Sequence, residues 1–233
     1  MSFLFDPLTV LGLKVHGETG RYPVNRIFCV GRNYAKHAAE MGVEVDREKP
    51  FYFTKSPSTA TASGSSVPYP QGTTNYHFEM ELVVALGAEV FNGEKEAAWD
   101  AVFGYCSGLD MTRRDLQLSE RAKQRPWSLG KDVEGSCILA PITRAADFGR
   151  PGGQAIKLTQ NGETRQDATL EELIWKVDEI IAHLSGFYRL LPGDLIMTGT
   201  AAGVGPVEPG DAIKGWVDGL DPVELTIGAA EAS

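Results

Sequence analysis

Residues 77–110 constrain this 233-residue chain more than any other stretch. They open with HFEMELVVAL, an apolar run that carries two carboxylates, Glu79 and Glu81. Side chains two apart on a strand share a face, so these glutamates are neighbours while Phe78, Met80 and Leu82 face the other way. The VVAL that follows is apolar on both faces, as in a strand covered on both sides. Like charges held in such a sheet repel unless a cation or protons compensate them. A second apolar run, residues 102–109, ends in Asp110. Three carboxylates at two strand ends form an all-oxygen set, which suits Mg²⁺ or Mn²⁺ better than Zn²⁺. The plainer alternative puts the glutamates on a solvated strand face and Asp110 in a turn cap; the flanking apolar runs weigh against it.

The length allows one large domain, or one with a small appendage. We place the boundary so that residues 1–20 are a small N-terminal β extension and 21–233 the main domain. A net charge of −9 argues against general nucleic-acid binding, though not against a local basic pocket. Cys29, Cys106 and Cys137 are odd in number, widely spaced and without a C-x-x-C, which reads as reduced, buried thiols in a cytoplasmic protein. The opening MSFLFDPLTV has neither the basic region nor the long apolar core of a signal peptide. No apolar run approaches the roughly 20 residues of a spanning helix, so no membrane role is expected.

Along the chain, RIFCVG at 26–31 and FYFTK at 51–55 read as strands. Between them, residues 33–41 read as a short helix with Asn33 as N-cap and Gly42 as its stop. His37 and Glu40 lie three apart on one face of that helix. A carboxylate there can orient an imidazole as a general base, although on spacing alone a surface pair is the plainer reading. Residues 43–49 are polar and read as a hinge. Residues 57–72 read as a loop with one extended piece around Val67. Residues 111–131 gather Arg113, Arg114, Arg121, Lys123, Arg125 and Lys131 in an acidic chain. A solvated basic helix face is the bland reading, and attraction of a small anion the functional one. Lys131, after Trp127, Leu129 and Gly130, is set apart as an inward-pointing residue. Asn161-Gly162 marks a hairpin. Thr169 and Glu172 form a capping-box pattern before one helix running from Leu170 to Leu184, with His183 as a packing or surface residue. The rest is β-rich, with Pro-Gly-Asp turns at 192–194 and 209–211 around the small-residue stretch TGTAAGVG. Small residues there allow a ligand to approach the backbone.

Taken together, CVGRNYAKHAAEMG, HFEMELVV, GLDMTRRDLQ, PWSLGKD and LLPGDLIMTGTAAGVGPVEPGD resemble the fumarylacetoacetate hydrolase superfamily, and within it the short fumarylpyruvate and acylpyruvate hydrolases. The resemblance spans about residues 21 to 227. It implies an α+β, β-rich fold, a mixed β-sandwich or β-roll with few helices around a metal site. It implies Mg²⁺ or Mn²⁺ on Glu79, Glu81 and Asp110, a catalytic His37–Glu40 dyad on a helix that orders with substrate, and a catalytic Lys131. Arg32, Gln117 and Thr200 match substrate-lining positions, and His77 is not among the implied ligands. The implied substrate is a small anionic 2-oxo acid and the implied assembly a homodimer. The implied reaction is hydrolytic C–C cleavage of a 2,4-diketo acid. Oxaloacetate decarboxylation or 2-oxo acid tautomerisation at the same site is the nearest alternative, and a non-catalytic binding module the more distant one. Two departures touch the pocket: Ala201 where relatives often read T-G-T-P, and Val133-Glu134 where they often read Phe-Asp. Both bear on substrate identity more than on the chemistry.

Overall fold

The computed structural model describes residues 4–6, 9–40, 42 and 47–231. The chain begins with a hairpin of β1 (Gly12–Lys14) and β2 (Arg21–Pro23). Next come β3 (Ile27–Gly31), α1 (Ala35–Glu40), β4 (Phe51–Lys55), β5 (Ala60–Ala62), β6 (Ser65–Pro68), β7 (Tyr76–Phe78) and β8 (Met80–Leu86). α2 (Lys95–Ala101) leads into β9 (Val102–Asp110) and β10 (Thr112–Arg113). α3 (Arg114–Ala122), α4 (Ser128–Lys131), β11 (Cys137–Leu139), β12 (Thr143–Arg144) and α5 (Ala145–Phe148) follow. The last part holds β13 (Ala155–Gln160), β14 (Glu163–Thr169), α6 (Val177–Ser185), β15 (Leu195–Thr200), β16 (Gly205–Pro206), β17 (Ala212–Val217) and β18 (Val223–Gly228).

Two mixed sheets carry the fold. The larger runs β4-β3-β15-β8-β9-β11-β5, with β12 also on β9; the smaller runs β14-β13-β17-β18-β6. Their facing sides build the core, and side-chain parity fixes which residues go there. Met80 lies against Gly215 of β17, where a Cβ would stand 2.4 Å from the Met80 sulfur. The Val217 amide donates to Ser107 Oγ at 3.2 Å. Met80, Leu82, Ser107 and Leu109 therefore face the smaller sheet, and Glu79, Glu81 and Asp110 point to the opposite side of the larger one. The expected orientation of the E-x-E stretch is what the fold adopts. The architecture is the expected β-rich α+β sandwich with few helices.

Three local expectations are corrected. Asn33 does not cap α1: its side chain donates to the carbonyls of Trp175 at 3.0 Å and Thr198 at 2.8 Å, and accepts from the Trp175 amide at 2.7 Å. That capture also breaks the expected 170–184 helix. Thr169 and Glu172 do form a capping box, but it opens a 3-10 turn (Leu170–Glu172). The Ile174 amide then bonds to the Asn33 carbonyl at 2.9 Å, so the chain leaves helical geometry until α6. Within the loop expected at 57–72, β6 is the extended piece expected around Val67 and pairs in parallel with β18, but β5 is a further strand, parallel to β11. Gly42 has the expected left-handed backbone (φ 66°). Met41 and residues 43–46 of the expected hinge lie outside the described residues.

Candidate active site

β7, β8 and β9 bring the three carboxylates together: Glu79, Glu81 and Asp110 are buried, with one oxygen of each within 4.8 Å of the others. Each is held by its own partners. The Gly199 amide donates to Glu81 Oε2 at 2.7 Å. The register shift between Met197 and Thr200 in the β15–β8 pairing accompanies that contact. Gly199 has φ 95°, and a Cβ there would meet Asn33 Cβ at 2.8 Å, so only glycine fits. The small residues of this stretch thus approach Asn33 and Glu81.

Three buried cations oppose the three carboxylates. Lys131 Nζ, aimed inward by the short turn of α4, donates to Glu79 Oε2 at 2.7 Å and Asp110 Oδ2 at 2.6 Å. Arg114 pairs with Glu79 Oε1 and also donates to Gln117 Oε1. Lys55, at the end of β4, lies 2.9 Å from Asp110 Oδ1. Burial alone would raise the Glu79 carboxyl, but Lys131 and Arg114 outweigh it and hold it well below the usual carboxylate range. For Glu81 the charge of Lys131 does not prevail: burial, then the Asp110 and Glu79 carboxylates, push it well above that range. Burial would lower the Lys131 ammonium, yet Asp110 and Glu79 raise it, so it is a firmly charged donor.

His37 is buried on α1 and faces the same recess. Its Nδ1 lies 3.3 Å from Glu40 Oε2, and the Gly203 amide donates to that carboxylate oxygen at 3.2 Å. Gly203 (φ 95°) also has to be glycine, because a Cβ would stand 2.0 Å from the Arg165 carbonyl. Arg32, itself left-handed at φ 60°, lies over the rings of Phe51 and Trp127 at 5.6 and 5.8 Å. Arg32, Gln117 and Thr200 line the recess with His37, Lys131 and the carboxylates, so all nine residues singled out in the sequence are lodged in or beside one place, Glu40 through its contact with His37. His77 is not one of the clustered ligand groups; its Nε2 is 2.8 Å from Asn75 Oδ1, and burial, with Arg114, lowers it to about 4.

Sequence reading missed three contributors. Arg114 was one cation in a basic run, Lys55 the end of a strand, and Gln166 part of a hairpin. Gln166 lies on β14 and is 1% exposed. Its Oε1 accepts from the Met80 amide at 3.0 Å, which fixes the amide's orientation. Its Nε2 therefore donates to Thr200 Oγ1 at 2.8 Å and to the Ala201 carbonyl at 2.7 Å. With Thr200 Oγ1 accepting there, the hydroxyl proton is left to point elsewhere, and the recess is what Thr200 lines. The same logic applies to Gln117: Arg114 can only donate, so Gln117 Oε1 accepts and its NH₂ remains a donor. For Lys55 and Arg114, the available signal was a cation at the margin of an apolar strand near carboxylates that needed compensation.

The donor set fits a hard divalent ion. Three buried carboxylates converge, Glu81 forms no ion pair among the described residues, and the recess has about 30 Å³ of free space, on the scale of an ion with bound water. Glu79, Glu81 and Asp110 are the residues that would hold it.

Residues 26–228 match the family described as fumarylacetoacetate (FAA) hydrolase C-terminal. The chain is 50% identical over 193 residues to a fumarylpyruvate hydrolase of a Ralstonia species, covering 82% of this chain and 100% of that one. It is 38% identical over 199 residues to the oxaloacetate tautomerase YcgM of Escherichia coli K12, covering 85% and 90%. Its fold superposes on the crystal structure of fumarylpyruvate hydrolase from Pseudomonas aeruginosa, in complex with Mn²⁺ and pyruvate. The TM-score is 0.94 at 44% identity, over 98% of this chain and 100% of the other. With a carboxylate trio, a His–Glu pair and a buried lysine gathered on one side of a matching mixed sheet, this chain belongs to the fumarylacetoacetate hydrolase family.

Proposed function

We propose that this protein is a divalent-metal-dependent hydrolase that cleaves a 2,4-diketo acid, with fumarylpyruvate or a related acylpyruvate as substrate and pyruvate as one product. The observation that carries this reading is a His–Glu pair facing the same recess as three buried carboxylates and a charged lysine. A bound Mg²⁺ or Mn²⁺ would supply the positive charge on which a 2-oxo carboxylate chelates and toward which enolate charge develops. His37, oriented by Glu40, takes a proton from water as the oxygen adds to the C4 carbonyl. Lys131, helped by the Gln117 amide, stabilises the oxyanion formed there. The C3–C4 bond then breaks, its electron pair passes to C3, and the acyl half leaves as a carboxylic acid that loses its remaining proton to solvent. The proton held at His37 balances the enolate at C3, giving pyruvate. Thr200 donates to the substrate's oxygens, and Arg32, which lines the recess, adds positive charge that draws the anionic substrate in.

Similarity to the tautomerase supports a second reading, proton transfer on oxaloacetate at the same carboxylates. That reaction needs no attacking water. The two separate in one paired assay with Mn²⁺: pyruvate release from fumarylpyruvate, and enol–keto conversion of oxaloacetate. We expect fumarylpyruvate to be the better substrate. We further expect His37→Gln to lower its turnover by roughly 10²- to 10⁴-fold, the usual share of a general base. A His37→Gln protein that binds Mn²⁺ and keeps full turnover would refute the assignment.

Three buried, unpaired thiols fit a cytoplasmic protein, and exposed Leu118 and Leu129 beside the site fit a homodimer. A role in breakdown of aromatic rings would follow from that substrate. No helix among the described residues is long and apolar enough to cross a membrane.

A further inference from the structure

Outward from the carboxylate recess the site opens into an annex of about 540 Å³ that no carboxylate among the described residues lines. The two share Arg32, Phe53, Arg121, Trp127 and Lys131, and the annex adds Phe51 and Arg125. From this geometry we propose that the annex is an acyl-binding subsite selective for an extended arm ending in a carboxylate, with Arg121 and Arg125 reading that carboxylate. The proposal rests on the reading above in placing the 2-oxo acid end of the ligand at Glu79, Glu81 and Asp110.

α3 sets the distance. Arg114, Gln117 and Arg121 follow at i, i+3 and i+7 and so lie along one helical face. Arg114 is anchored on Glu79, and Arg121 lies seven residues on, about 10 Å along the axis at the α-helical rise. The end of the helix then turns Arg125 back toward the same wall. The Arg125 amide donates to the Glu120 carbonyl at 2.9 Å and the Gln124 amide to the Arg121 carbonyl at 3.0 Å. Gln124 has the left-handed backbone (φ 55°) of a Schellman-type stop. The basic run is thus divided by task. Arg114 and Lys131 neutralise the inner carboxylates, and Arg113 donates to the carbonyls of Leu129 at 2.8 Å and Gln71 at 3.0 Å. Arg121 and Arg125 line the annex together with Lys131.

The walls select shape as well as charge. Phe51 meets Trp127 edge-on at 4.8 Å between centroids, and Phe53 lies 5.7 Å from Trp127. Flat rings favour a planar conjugated arm. A forked guanidinium binds a terminal carboxylate through paired charge-assisted hydrogen bonds. An acetyl group is too short to reach from the recess to Arg121, whereas a trans-configured arm is extended enough.

The test uses two unreactive seven-carbon ligands titrated calorimetrically into the full-length Mn²⁺-loaded protein: 2-oxopimelate, with a distal carboxylate, and 2-oxoheptanoate, without one. The wild type should bind 2-oxopimelate roughly 10- to 100-fold more tightly, the worth of charged hydrogen bonds. Arg125→Gln should narrow that gap, and Arg121→Gln with Arg125→Gln should close it, in both cases by weakening 2-oxopimelate alone. Absence of a preference in the wild type, its survival in the double variant, or equal weakening of both ligands would overturn the subsite. Failure of the hydrolase reading shows separately, as no pyruvate released from fumarylpyruvate by a wild type whose ligand preference is still measurable.

Discussion

At the scale of single residues, hydrogen-bond direction decides what the recess can recognise. Gln166 is locked by the Met80 amide, so Thr200 receives a hydrogen bond from it and keeps its own proton for another acceptor. Thr200→Val removes that donor and should raise KM for fumarylpyruvate by roughly 10-fold, one hydrogen bond to a charged group, while Thr200→Ser stays near wild type. Gln166→Glu should shift KM in the same direction as Thr200→Val, because a carboxylate would draw the Thr200 proton toward itself. Steady-state kinetics on the three variants checks the ordering; a Gln166→Glu enzyme with unchanged KM would remove Thr200 as a donor. None of this was legible in ETRQ, where Gln166 is one polar residue of a hairpin. Its role exists only because β14 folds over β8 and β15.

At the scale of elements, the site depends on segments that depart from their local propensity. The pattern from Leu170 to Leu184 is helical, yet Asn33 captures the backbone at Ile174 and Trp175 and splits it. The same side chain holds the Thr198 carbonyl, one residue before the Gly199 amide that orients Glu81. Asn33→Ala leaves the buried Trp175 and Thr198 groups without partners. We expect it to lower unfolding free energy by about 1–3 kcal/mol in urea titrations and to weaken Mn²⁺ binding as well. Stability loss with unchanged Mn²⁺ affinity would uncouple the two. By contrast, β8 and β9 were legible because apolar runs covered on both faces leave few alternatives. β5 was not, being three residues of Ala and Thr whose parallel partner lies far along the chain, and β6 was legible only as an extended piece around Val67.

At the scale of the whole molecule, folding gathers three carboxylates and three cations on the outer side of one sheet, away from water. Such a cluster serves a site more than stability, since desolvating charge is unfavourable even when it is paired. A divalent ion adds positive charge to a balanced set, which favours anionic ligands. Binding only to the folded state, Mn²⁺ should raise the melting temperature, contributing about 2.7 kcal/mol at a hundredfold excess over Kd. Glu81→Gln relieves repulsion among the carboxylates. It should therefore melt higher than wild type in chelator and lose the Mn²⁺-induced rise. Scanning calorimetry with and without chelator reads both effects; an unchanged Mn²⁺ response in Glu81→Gln would remove Glu81 from the ligand set.

The sequence by itself determined the carboxylate trio, the strands that carry it and the face it occupies. Those follow from two-residue periodicity and the exclusion of uncompensated charge from apolar strands, both local properties. The resemblance of motif order added the His37–Glu40 dyad, whose spacing alone did not distinguish it from a surface pair, and a catalytic role for Lys131, already set apart as inward-pointing. Only the tertiary structure decided the rest. It chose Arg114 and Lys131 from a basic run to face the carboxylates and turned Arg121 and Arg125 to the annex. It also brought Lys55 and Gln166 to the site from strands that look ordinary in sequence. The physical reason is that electrostatic compensation and hydrogen-bond direction are set by neighbours in space, and those neighbours lie 20 to 120 residues apart along the chain.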